Sequence, residues 1–234
     1  MNPERLALVQ GMRDTRATLH RWYAAPLGVL LPWVAGGLFI AVLLLLAVWA
    51  IATGVRPDVS TTILPGLNSP VDGEAVGRIL FRNSLVLALH GFACIAGFIA
   101  GSSLPLLAEQ HSGWWKTVHD KAGPLAIAFV GAATLFSLVT QAWALGRTAS
   151  DLSLQLGVST GTLMLTLLPH ALLELTALFV PLAAWLIASR RDQWHELLAA
   201  TFVTVALAIP VLILASYVEV TVWPDLLRLV SSRY

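Results

Sequence analysis

Long apolar runs separated by short polar stretches dominate this chain, and five of them are long enough to cross a bilayer as helices. They are Leu27–Thr53, Ser84–Ala108, Gly123–Gly146, Ser159–Ser189 and Leu197–Trp223. A spanning helix needs about 20 predominantly apolar residues, whereas a membrane strand alternates apolar and polar positions over about ten. None of the five alternates, so the pattern predicts a helical bundle. The expected fold class is all-α: a polytopic integral membrane protein of five transmembrane helices with an N-terminal amphipathic helix. Residues 1–26 would form the amphipathic interfacial helix and residues 27–234 the transmembrane domain. The first run is too long and begins too late for a cleaved signal peptide, so it reads as a retained anchor. No internal repeat is visible, and an odd helix number argues against a simple inverted-repeat transporter.

Before the first run, Asn2 can cap a helix with Pro3 at its first position and Glu4 in its first turn. Leu8, Met12, Leu19 and Trp22 recur at helical spacing, with Arg5, Arg13 and Arg16 on other faces. Such a segment either lies on an anionic leaflet or docks on the bundle as a lead-in. The connection from Gly54 to Asn83 is broken by Pro57, Pro65 and Pro70. In its second part Asp72 can cap a short surface-lying helix containing Ala75, Val76, Ile79 and Leu80. The opposite loop holds His111, Trp114, Trp115, Lys116, His119 and Asp120. Tandem tryptophans with a lysine at a span boundary read as an aromatic belt rather than a metal site.

Hydrophobic residues make up 57% of the 234 residues and charged ones only 12%, about half the share usual in soluble domains. The formal net charge of +1 lacks the concentrated basic face that nucleic-acid binding requires. A single cysteine, Cys94, supports neither a disulfide framework nor a thiolate metal site. Lys and Arg are modestly more frequent on the side holding Arg5, Arg13, Arg16, Arg21, Lys116, Lys121, Arg190 and Arg191. An N-terminus in the cytoplasm follows from that bias.

Against this apolar background the polar residues inside the runs stand out. An ionisable side chain at the centre of a spanning helix costs roughly 2.5–3.5 kcal/mol on insertion scales, so it must be satisfied or used. His170 and Glu174 lie one turn apart on one face of the fourth run, directly after Pro169. Alternating spans put the start of the second, the end of the third, the start of the fourth and the end of the fifth on one membrane side. At about 1.5 Å per residue, His90, His170, Glu174, Glu219 and Gln141 then all fall between that side and the midplane. Pro169 is expected to kink or unwind the fourth helix, and Pro210 to bend the fifth. Gly97 and Gly101, with Ala93, form a small-residue stripe suited to close helix contact.

His90, His170, Glu174 and Glu219 are therefore expected to share an intramembrane pocket, with Asn83 and Gln141 as further candidates. Three readings of such a pocket stand. It fixes the register of the bundle. It binds zinc or another divalent ion through His90, His170, Glu174 and Glu219 for hydrolysis of a membrane-embedded substrate or for peptide maturation. Or it holds a proton, lipid head group or peptide carboxylate in a transport component. The HxxxE spacing lacks the HExxH arrangement, and no GxSxG, phosphate loop or dinucleotide fingerprint is present.

The segment Leu168-Pro169-His170-Ala171-Leu172-Leu173-Glu174-Leu175-Thr176-Ala177 is similar to the Pro-His-Gly…Glu-Leu-Pro-Ala signature of the stage II sporulation protein M family. Phe81-Arg82-Asn83-Ser84 resembles that family's asparagine-marked second span. Ala215-Ser216-Tyr217-Val218-Glu219 with Pro224 resembles its closing segment. The resemblance runs from Asn83 to Pro224. Ala171, Thr176 and Gln141-Ala142 stand where the family has glycine, proline and Asn-Gly. It implies a bacterial inner-membrane assembly factor or scaffold, without an assigned reaction or resident cofactor. Other membrane or cell-envelope proteins would be its partners, and an oligomer is compatible with the resemblance.

Overall fold

The computed structural model describes residues 7–58, 62–103 and 113–233. Asn2, Pro3, Glu4, Arg5 and His111 lie outside them, as do the side chains of Leu8, Trp115, Lys116, His119 and Asp120. Six long helices follow one another among the described residues: α1 (Ala7–Ala24), α2 (Pro26–Gly54), α3 (Gly73–Phe98), α4 (Trp114–Leu156), α5 (Thr160–Arg190) and α6 (Leu197–Val230). A short π-helical turn, Ile99–Ser103, extends α3, and a single 3-10 turn, Trp194–Glu196, leads into α6. Five of the helices are long and apolar enough to cross a membrane.

The helices match the five apolar runs in number and order but are longer, because polar residues at their ends still satisfy helical geometry. α3 does not begin at Ser84 after a separate surface helix. It starts at Gly73, where Asp72 accepts a 2.7 Å hydrogen bond from the Ala75 amide and an Arg78–Glu74 pair braces the first turns. The expected surface-lying helix is therefore the first three turns of the span itself. α4 runs ten residues past Gly146 to a left-handed cap at Gly157 (φ 67°), a conformation that glycine adopts without Cβ strain. α6 continues through Pro224. α5 starts where its run starts, with Ser159 capping the Thr162 amide at 3.1 Å.

Pro169 does not unwind α5, which stays α-helical from Thr160 to Arg190 through both Pro169 and Pro181. A proline removes one backbone bond, and here neighbouring helices hold the turns on either side in place. α5 is the hub of the bundle, packed on α2, α3 and α6, whereas α4 lies at the edge and leans chiefly on α2. Two glycines explain the intimacy of α2 and α5. A Cβ on Gly37 would sit 2.9 Å from the Thr176 carbonyl oxygen and 3.1 Å from the Val180 nitrogen. One on Gly36 would sit 2.9 Å from the Ala183 Cβ. Backbones approach this closely only where side chains are missing. The Gly97–Gly101 stripe, on α3 and the π-helical turn that extends it, is filled by the side chains of Trp185 and Trp194.

α1 docks on the bundle, as the lead-in reading has it. Gly11 lies against Leu198 and Phe98, Thr18 is fully buried, and Arg21 reaches Glu196 at 2.7 Å. At the opposite end, the loop after α2 is tied to α4 by Asp58 N–H to Asp151 and Thr62 N–H to Gln155, each 2.7 Å. Its Gly66 carbonyl accepts from Arg228 of α6.

Candidate functional site

Helical continuity from Asp72 onward carries Arg82, Asn83 and His90 down α3 beside α5, while α6 brings Glu219 and Trp223 to it from the other side. Along α5, His170, Glu174 and Leu178 follow at intervals of four, so all three lie on one face. The site is a ladder with α5 as its upright.

On the upper rung the His170 ring lies against the Trp223 indole, centroids 5.2 Å apart and planes tilted 53°. Trp223 Nε1–H in turn donates to the Thr166 hydroxyl at 3.3 Å. His170 is buried, and its Nδ1 has no hydrogen-bond partner among the described residues. The middle rung holds the acids. Electrostatic interaction couples the Glu174 carboxyl to Asn83 and Arg82 of α3, and Glu219 of α6 to both Glu174 and Arg82. Asn83 Nδ2, itself buried, completes no hydrogen bond of ordinary geometry among the described residues. Both carboxylate residues are half-buried and Arg82 is exposed, so this rung faces outward from the bundle.

The lowest rung is closed. His90 is fully buried, with Nδ1 2.9 Å from the Leu178 carbonyl oxygen and its ring edge-on to Phe179 at 5.3 Å. A carbonyl only accepts, so Nδ1 carries the proton and Nε2 presents a lone pair that no group among the described residues meets. One turn below, Cys94 Sγ donates to the Pro181 carbonyl at 3.2 Å, which accounts for the lone thiol as a packing residue.

His90, His170, Glu174, Glu219 and Asn83 thus line one face of the α3–α5–α6 contact but do not close into a ring. His90 sits at the level of Leu178, eight residues along α5 from His170, which is roughly 12 Å at 1.5 Å per residue. Ligands of one zinc ion all lie about 2 Å from it, which that spread of imidazoles does not allow. Among the described residues no three His, Cys, Asp or Glu side chains form a metal-binding group. Gln141 stays apart. Its amide donates to the Ser137 hydroxyl of its own helix at 2.9 Å, on the edge helix α4.

Arg82 is the site residue that sequence reasoning leaves out, because its charge reads as a span flank. The signal was present in the Asp72 cap: a helix starting there puts Arg82 in its third turn, beside Asn83, and not in a loop. Comparison with family models, with curated proteins and with solved structures finds no match for this chain.

Proposed function

We propose that the protein is a multi-pass bacterial inner-membrane assembly factor of the stage II sporulation protein M type, with a cytoplasmic N-terminus. In this reading the acid rung receives a polar or basic group from a partner's membrane segment. The reading is non-enzymatic. One observation carries it: Glu174 and Glu219, from two helices, face each other with a buried, unbonded Asn83 amide beside them, and the rung opens sideways. In hydrocarbon such groups find partners in a neighbouring helix, because no water is present to satisfy them. A basic or hydroxyl side chain on an incoming helix would meet the two carboxyl groups and the unpartnered Asn83 amide nitrogen. The closed rungs above and below hold the three helices in register. The family resemblance supports the same role.

A photo-crosslinking residue at Phe81, which is 64% exposed on α3 beside Arg82, tests this in native membranes. A discrete protein adduct is expected, lost in Glu174→Gln/Glu219→Gln and absent when the crosslinker is placed at Phe136 on α4. Adducts to lipid alone, or a protein adduct indifferent to the two acids, would overturn the proposal. Stoichiometric zinc that disappears in His170→Ala would replace it by the metal-dependent hydrolase reading.

A further inference from the structure

At the α1 end of the bundle, α1, α2, α5 and the turn into α6 enclose a cavity of about 150 Å³ that the acid rung does not involve. Its two ends differ in chemistry. Toward the end of the bundle it is lined by Arg191, Gln193 and Glu196, and toward the interior by Val29, Pro32 and Ile187. Trp22 and Trp33 stand between, packed edge to face at 5.0 Å and 81°.

At the polar end one guanidinium is left without a carboxylate partner among the described residues. Glu196 is held by Arg21 at 2.7 Å, and the Asp192 carboxylate is occupied by the Trp194 indole N–H at 2.7 Å. Arg191 makes no side-chain hydrogen bond or ion pair among the described residues. The backbone that carries it is fixed, since its own amide bonds the Ile187 and Ala188 carbonyls and the Gln193 amide bonds Ala188 at 2.9 Å. A guanidinium on a rigid turn, with both neighbouring acids engaged elsewhere, is a site for a phosphate-type anion.

We propose that this cavity binds the phosphodiester of a membrane phospholipid. Arg191 and Gln193 hold the phosphate oxygens, the two tryptophans pack on the glycerol region, and the first acyl carbons run along Val29, Pro32 and Ile187. The inference rests on the bilayer-spanning reading above, which places α5's last turn at the head-group level, where basic pockets between helices hold lipid phosphates. Docking of α1 completes the site, because Trp22 and the Arg21 that neutralises Glu196 both come from α1.

Native mass spectrometry of the full-length protein in mild detergent, with dihexanoyl-phosphatidylglycerol as the probe, tests it. Wild-type protein should retain the lipid. Arg191→Ala should lower retention by about tenfold or more, as expected for loss of a charge-assisted hydrogen bond, while Arg190→Ala leaves it unchanged. Gly28 lines the cavity, and a Cβ there would meet nothing within 4 Å, so Gly28→Leu should block the site without disturbing the fold. Equal retention in both variants would overturn the proposal, as would displacement of the lipid by inorganic phosphate alone at millimolar concentration. Resistance of the protein to alkaline extraction from membranes is read alongside. Failure there removes the bilayer reading, whereas extraction-resistant protein with variant-independent lipid removes only the lipid site.

Discussion

α5 and α4 are almost equally apolar, yet 61% of the most hydrophobic window of α5 is buried inside the bundle against 11% for α4. In a water-soluble protein such a contrast would be written in the hydrophobic pattern, because exposed faces are polar. Here the outward face of α4 carries Leu125, Phe129, Phe136 and Val139, all more than half exposed and all suited to lipid. What separates the two helices is instead where small and polar residues lie. α5 presents Ala177, Ala183 and Ala184 to its neighbours and meets Gly36 and Gly37 of α2, and it also bears His170 and Glu174. In this protein apolarity marks a helix long and apolar enough to cross a membrane, and small or ionisable side chains mark its inner face.

Matched substitutions on the two helices test that contrast, with reversible unfolding in mixed micelles as the measurement. The largest effect is expected at Phe179, fully buried on α5: Phe179→Ala should cost about 3–5 kcal/mol through the cavity left behind. Phe136→Ala, 71% exposed on α4, should stay within about 0.5 kcal/mol. Similar losses at the two positions would mean that α4 is covered as thoroughly as α5.

A smaller but sharper difference should appear at glycine. Gly37→Leu drives a side chain into the Thr176–Val180 backbone and should destabilise by about 1–3 kcal/mol or more. Nothing within 4 Å meets a Cβ on Gly131 of α4, so Gly131→Leu should be neutral or gain up to about 0.8 kcal/mol of helix propensity. A neutral Gly37→Leu would show that α2 and α5 do not touch at this point.

The smallest effect compares the two imidazoles of the ladder. His90→Phe keeps the ring but loses the hydrogen bond to Leu178, at about 1 kcal/mol. His170→Phe also keeps its ring against Trp223 and breaks no hydrogen bond, so it should stay within about 0.5 kcal/mol. Equal destabilisation by the two would place an unrecognised partner on His170.

Much of this was legible beforehand, for reasons that can be assigned residue by residue. Helix starts at Asp72 and Ser159 follow from capping chemistry local to a few residues, and the His170–Glu174 spacing places both on one face by helical geometry alone. The helix ends were less legible. Arg147, Asp151 and Gln155 look like loop residues in an apolar chain, but on α4 they simply continue the helix beyond the apolar segment and anchor the loop after α2. The same misreading assigned Arg82 to a flank. Gln141 was grouped with the site because depth along a helix was counted while direction around it was not. α4 turns that residue toward its own Ser137.

From its residues alone, the chain determines five apolar helices, their order, their lead-in, and the level along its helix at which each ionisable group sits. Those properties depend on contacts within a few residues and on a fixed rise per residue. Only the folded bundle decides which groups meet: that Glu174 faces Glu219, that His90 closes on Leu178 eight residues from His170, and that α1 completes a cavity around Arg191. Rotation of each helix about its axis is set by interlocking of small residues between helices distant in sequence. In a chain whose outer surface is as apolar as its interior, the hydrophobic pattern carries no record of that rotation.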